Sequence, residues 1–414
     1  MTTIKDSVHD HIEVSGVADA LLDTRAVQRL RRVNQLGTAS LVYPSANHTR
    51  FEHSLGVYHL AVAALDGLGI DGRPARRTEA AAILHDVGHG PFSHTIEGLI
   101  QRRTGKYHDD VADLLTSGEL AETLESHGLD PATVAGMVRG EGELGQIVAG
   151  ELDVDRMDYL VRDAHHTGVP YGTIDHGRLV RELAIHDGEL VLDEGNVQTA
   201  ESLLLARALM NPTVYNHHVA RISKAMLRRA VERLLDASDV TPAELRRMDD
   251  LGLRVALRDC DASADFADRL DRRALYKRAV WAELADVTGG GFAEDSVVSA
   301  DHETRRELER DVAARAGVER DHVLLDVQAR PRMRESDTRV LVNGDARRLD
   351  EQSTLVRALQ MAQREQWRLG VYAPREHTDA VGRAAVDVLG LDIDGALVSE
   401  TTRGQYSLDQ FEEN

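Results

Sequence analysis

The chain has 414 residues, 42% of them apolar, enough for a substantial buried core and for two domains. No apolar run nears the roughly 18 residues that cross a bilayer, residues Met1-Thr2-Thr3-Ile4-Lys5-Asp6 lack a signal pattern, and the single Cys260 excludes a disulfide framework or a thiolate metal site; a cytoplasmic location with no membrane partner is expected. The net charge of −21 argues against a nucleic-acid partner, and with lysine only at Lys5, Lys106, Lys224 and Lys277 the balance reads as halophilic, adapted to salt that screens self-repulsion to roughly a few ångströms.

Apolar residues at helical spacing predict helices over residues 17–36, 57–68 and 78–86. A β-hairpin follows at Leu183-Ala184-Ile185-His186 and Glu189-Leu190-Val191-Leu192, joined by the turn Asp187-Gly188, a strong hairpin signal. Helices are expected again over 200–210 and 222–235. Gly289-Gly290-Gly291 breaks the pattern, so the first domain is placed at 1–300, with 301–320 a charged connecting segment. Strands at 323–327, 339–342 and 369–372, with helices at 351–365 and 378–389, predict a small α+β domain over 321–395. Residues 396–414 form a C-terminal tail. Sixteen of the 19 histidines lie at or before His218, which places the chemistry in the first domain.

Within that domain, His85 and Asp86 follow the apolar run Ala80-Ala81-Ala82-Ile83-Leu84. Burying such a pair without partners costs several kcal/mol, a cost that a bound metal ion removes. His53 upstream and Asp155 downstream complete two imidazoles and two carboxylates, a donor set suited to Mn, Mg, Fe or Zn. Neighbours on a helix point about 100° apart, so His85 and Asp86 share one ion only near a helix end, which Gly88 and Pro91 suggest, or with Asp86 bridging two ions. A hydrogen-bonded core histidine is the other reading of His53. Asp153 and Asp158 are competing carboxylates, the latter well placed for an i,i+4 pair with Arg162.

These residues resemble the H…HD…D signature of the HD phosphohydrolase superfamily. The strings Arg50-Phe51-Glu52-His53-Ser54-Leu55-Gly56-Val57, His85-Asp86-Val87-Gly88-His89-Gly90-Pro91-Phe92-Ser93-His94 and Asp153-Val154-Asp155-Arg156-Met157-Asp158-Tyr159 are similar to its deoxynucleoside-triphosphate triphosphohydrolase (dNTPase, dGTPase-like) branch, which removes intact triphosphate from a dNTP. The likeness runs from about residue 4 to about 235. It implies a mainly α fold: an HD-domain helical bundle with a small β-hairpin, then the small α+β domain. It selects His53, His85, Asp86 and Asp155 as metal ligands.

The resemblance also assigns His89, His94 and His108 to the reacting phosphate, with His108 aiding the leaving group; histidine suits this because its pKa lies near 6.5. Arg50 and Arg156 match phosphate-binding positions, the latter a lysine in other members. Gln35, Leu36, Tyr159, Asp163 and Tyr215 match residues around the deoxyribose. Lys5, His11, Asp23, Gln28 and Arg31 resemble a regulatory nucleotide site in some members, implying a homodimer or homotetramer with an activating nucleotide between subunits; a helix N-cap at Asp23-Thr24 is a compatible reading. Two alternatives remain: an HD phosphohydrolase for a monophosphate or signalling nucleotide, and a non-catalytic nucleotide-sensing module, against which the intact ligand quartet speaks.

Overall fold

The computed structural model describes residues 1–287, 296–329, 331, 333–393 and 395–398. The expected break at Gly289–Gly291 and the tail from 399 onward lie outside the described residues. The fold is mainly α with small sheets, and its contacts divide into two compact units. The first comprises 1–220, 227–272 and 333–359; the second, 221–226, 273–332 and 360–414. This differs from the linear partition expected at residue 300.

In the first unit, the Arg50–Leu68 helix is buried on most of its circumference, as a central helix must be. It starts with a capping box in which Thr49 accepts from the Glu52 amide while Glu52 accepts from the Thr49 amide, and it stops at Gly69 with φ 67°. The Glu52 of the Arg-Phe-Glu-His motif is therefore a cap. The Gly72–Leu84 and Val154–Thr167 helices pack around this central helix, and the core gathers Leu55, Leu60, Ile83, Leu84, Met157 and Leu160.

The single helix expected over 17–36 is broken. Helices Gly16–Leu22 and Arg25–Arg29 are separated where the Thr24 hydroxyl donates to the Leu21 carbonyl, and a short turn Leu30–Arg32 follows. Asp23 ends the first helix rather than capping the second. An unexpected hairpin precedes them, Thr2–Asp6 against Asp10–Val14, with Ile4 opposite Ile12. Only Ile12 and Val14 alternate into the core, too short a pattern to announce a strand.

The expected Asp-Gly hairpin is present, pairing Leu183 with Leu192 through His186 with Glu189. Its second strand is extended by Arg339–Val342, parallel at Leu192 and Val340, and then by Asp345–Arg348. Strand 339–342 thus joins the first unit's sheet, not a sheet of a C-terminal domain.

The second unit holds a three-stranded antiparallel sheet, Lys277–Glu283, Arg368–Ala373 and Leu324–Val327, with Arg368–Ala373 in the centre. Helices His302–Ala316 and Thr378–Leu389 pack with it over Val280, Val312, Leu369, Val371 and Val381. The segment expected to be a connector is therefore a core helix. Its buried Glu309 accepts from Arg306 at 2.6 Å and from the Leu325 amide at 2.8 Å, so burial leaves the charge paired.

Candidate active site

Three helix termini bring the four sequence-predicted ligands together. His53 lies on the first turn of Arg50–Leu68; the Gly72–Leu84 helix ends at Leu84, so His85 and Asp86 leave the helix and turn to the same side; Asp155 lies on the first turn of Val154–Thr167. His53 Nε2 is 2.8 Å from Asp155 Oδ1, 3.2 Å from His85 Nε2 and 3.8 Å from Asp86 Oδ2. His85 Nε2 is 3.4 Å from Asp86 Oδ1. His53, His85 and Asp86 are buried, and Asp155 opens to solvent on one side.

Both imidazoles are held from behind. His53 Nδ1 donates to Asp158 Oδ2 at 2.8 Å, and His85 Nδ1 donates to the Ala82 carbonyl at 2.8 Å. Each neutral ring therefore carries its lone pair on Nε2, and the two lone pairs face each other, an arrangement a shared cation satisfies. Ligand atoms of His53, His85 and Asp86, one from each, lie within 4.8 Å of one another, and Asp155 Oδ1 stands 2.8 Å from His53 Nε2 and 3.9 Å from His85 Nε2, a donor set that fits a divalent ion bound through nitrogen and oxygen.

Beside the quartet lies a second cluster. The His89 and His108 rings stack with centroids 4.2 Å apart, and His94 meets both edge-on at 4.7 and 5.0 Å. His89 is buried, with neither ring nitrogen hydrogen-bonded, and its Nε2 lies 3.3 Å from Asp86 Oδ1. Glu97 accepts from His94 Nδ1 at 2.8 Å and also from His108 Nδ1, fixing both rings with their Nε2 atoms outward. Burial opposes charge on His108, but the bond to Glu97 outweighs it and raises the pKa. Burial and the neighbouring Arg50 cation hold the His89 pKa well below the usual value.

Residues 50–163 match the HD domain, and residues 174–400 match the HD associated region. The chain belongs to the HD-domain family. An uncharacterised protein of Methanocaldococcus jannaschii is 33% identical over 387 residues, covering 91% of this chain and 80% of its own length. The deoxynucleoside triphosphate triphosphohydrolase SAMHD1 homolog of Dictyostelium discoideum is 31% identical over 282 residues, 61% of this chain and 54% of its own length. The HD-domain chain thus spans about half the length of that curated relative. A hypothetical protein of Aquifex aeolicus, known from a crystal structure, aligns with a TM-score of 0.75 at 28% identity over 92% of this chain and 99% of its own.

The remaining expected residues of this HD-domain protein fall into distinct settings. Arg50 is buried, its Nη1 on Asp86 Oδ2 at 2.8 Å and its Nε on Ser93 Oγ at 2.9 Å, so it touches a carboxylate of the quartet directly. Arg156 points to the carbonyls of Gly150 and Glu151. Tyr215 donates to Asp163 Oδ2 at 2.9 Å, Asp163 Oδ1 accepts from His48 at 2.8 Å, and Tyr159 meets Tyr215 edge-on. Gln35 is buried next to half-exposed Leu36, and its backbone N–H donates to the His48 carbonyl. Of the five regulatory candidates, Lys5 and His11 face each other across the N-terminal hairpin, and Gln28 accepts from Arg31 at 2.9 Å. Among the described residues no hydrogen bond or ion pair joins these two pairs, or joins Asp23 to either.

Asp153 caps the Val154–Thr167 helix through the Arg156 amide at 2.8 Å and takes no part in the quartet. Asp158 does pair with Arg162, but it also orients His53. Sequence reasoning missed this second role, along with Glu97, His48 and His9. Glu97 stands one helical turn after His94, the one local signal that could have found it.

Proposed function

We propose that the protein is a divalent-metal-dependent phosphohydrolase that splits deoxynucleoside triphosphates into deoxynucleoside and inorganic triphosphate. The observation that carries this reading is the adjacency of the four-donor centre to a histidine cluster in which His108 and His89 have pKa values shifted in opposite directions. A divalent ion on His53, His85, Asp86 and Asp155 supplies Lewis acidity to a phosphoryl oxygen and lowers the pKa of an attacking water.

The side chains divide the rest of the work. His108, kept proton-rich by Glu97, gives a proton to the departing 5′-oxygen. His89, kept neutral, accepts a hydrogen bond from the attacking water, and His94 steadies the α-phosphate. Arg50 and Arg156 meet the triphosphate oxygens, Arg156 exchanging its present carbonyl partners for them. Gln35, Leu36, Tyr159, Asp163 and Tyr215 enclose the sugar, where the hydrogen bond from Tyr215 to Asp163 braces the two side chains that would exclude a 2′-hydroxyl. A homodimer, or a homotetramer built from dimers, joined by a nucleotide at Lys5, His11, Asp23, Gln28 and Arg31, belongs to the same reading.

The test is an assay of the four dNTPs, a deoxynucleoside monophosphate and a cyclic dinucleotide with Mn²⁺ in high salt and ¹⁸O-water. Release of tripolyphosphate carrying the ¹⁸O, absent in His85→Ala, is expected. Orthophosphate from the monophosphate, or cleavage of the cyclic dinucleotide alone, would overturn the dNTP reading.

A further inference from the structure

We infer that the N-terminal hairpin is a working part of the metal centre, with His9 on its turn acting as the positioning residue that holds Asp158 against His53. This rests on the reading of the HD quartet as a metal site. The hairpin belongs to neither of the helices that carry His53 and Asp155, yet its turn reaches directly behind them. His9 Nε2 donates to Asp158 Oδ1 at 2.6 Å, and both side chains are essentially inaccessible, at 1% and 0% exposure. Asp158 passes the contact on through its other oxygen, 2.8 Å from His53 Nδ1.

The turn is itself pinned. Asp6 Oδ1 accepts from the Val8 and His9 amides at 2.9 and 2.8 Å, which shapes the turn, while Asp6 Oδ2 accepts from Arg162 Nη1 at 2.9 Å. Arg162 in turn donates to both oxygens of Asp158, at 2.8 and 3.0 Å. His59 and His176 pack against the His9 ring, with centroids 4.9 and 5.3 Å away. Asp158 thus receives four N–H donors, and only His9 among them comes from outside the helices that carry His53 and Asp155. Without it, Asp158 Oδ1 keeps Arg162 Nη2 alone, and the carboxylate can tilt away from His53.

The consequence is chemical. Asp158 sets which His53 nitrogen bears the proton and so aims the Nε2 lone pair at the ion. Loss of such an outer hydrogen bond typically costs about 10–100-fold in metal affinity. The linkage is reciprocal, so bound metal must also stabilise the hairpin.

Mn²⁺ affinity of the full chain, measured by calorimetry, tests this. His9→Ala is expected to weaken binding about 10-fold or more, His9→Gln, whose amide still donates, to recover part of it, and Glu13→Gln, exposed on the same hairpin, to change nothing. Independently of any variant, Mn²⁺ should slow hydrogen exchange of the Val8 and His9 amides in the wild type. Wild-type affinity in a folded His9→Ala, or hairpin exchange indifferent to Mn²⁺, would overturn the inference. If His9→Ala does not fold, the wild-type exchange result decides alone. A wild type that binds no Mn²⁺ would instead overturn the metal reading beneath it.

Discussion

Two glycines in the HD motifs owe their identity to backbone contact rather than to flexibility. A Cβ on Gly56 would fall 1.8 Å from Asp158 Oδ1, and one on Gly88 would fall 2.0 Å from the His108 carbonyl. The first glycine lets the Asp158–Arg162 pair lie against the central helix, and the second lets His108 approach His89. Glu97 does at the histidine cluster what Asp158 does at the His/Asp quartet: it holds imidazole Nδ1–H groups. In Glu97→Gln the amide nitrogen would face an imidazole N–H, so one of the two rings loses its anchor. Turnover is expected to fall about 100-fold or more, with Mn²⁺ affinity unchanged. Because Glu97 is what raises the His108 pKa, the activity that needs protonated His108 should also fade at lower pH than in the wild type. A pH–rate profile checks both; an unshifted profile with normal turnover would refute the role.

One strained turn links the two halves of the site. Phe92 and Ser93, with φ of 57° and 54°, lead into the His94–Thr104 helix, and such non-glycine conformations cost about 1–3 kcal/mol each. The turn is held by the Phe92 amide on Asp250 Oδ1 at 2.6 Å and by Ser93 Oγ on the Asn34 carbonyl, while the Asn34 amide donates to Asp250 Oδ2. Asp250 therefore clamps the loop that carries Gln35 to the turn that leads into His94. Burial pushes its pKa up to about 6, against the lowering effect of the two amides. The folded value lies above the unfolded one, so this group favours folding most below pH 4 and loses that contribution as pH rises to 6. The rise from 3.8, at about 1.4 kcal/mol per unit, amounts to about 3 kcal/mol. Urea unfolding of the wild type against Asp250→Asn should show the wild type losing about that much relative stability between pH 4 and pH 7. A difference that stays constant with pH would contradict the assignment.

At the scale of the whole molecule, the chain does not finish its first unit before starting the second. Residues 333–359 return to the first unit, where Val340, Leu349 and Val356 are fully buried in the main core and Val340 pairs with Leu192. A fragment of residues 1–300 would leave the Glu189–Leu192 strand edge unpaired and remove those three core side chains, each contributing about 1.5–3 kcal/mol on burial. Such a fragment is expected to aggregate, or to melt well below the full chain in a thermal scan. A soluble 1–300 fragment that melts cooperatively at the full-length temperature would show that the returning segment is dispensable.

Part of the site was legible because it lies in short strings. His53, His85, Asp86 and Asp155 were picked out by the resemblance of the strings around them to the HD signature, and the helix end before His85 and the Asp187-Gly188 hairpin each depend on a few neighbouring residues. The groups that aim the ligands were not legible, because each is set by a contact between distant positions: His53 with Asp158, His9 with Asp158 and Phe92 with Asp250 lie 105, 149 and 158 residues apart. The N-terminal hairpin, with only Ile12 and Val14 alternating, and the pairing of Leu192 with Val340 belong to the same class. The sequence by itself determined which side chains could bind an ion and where the Asp187-Gly188 turn falls, since side-chain chemistry and covalent neighbours suffice for that. Only the tertiary structure decided which carboxylate orients which imidazole and which strand completes which sheet, because a hydrogen-bond partner is chosen by proximity in space.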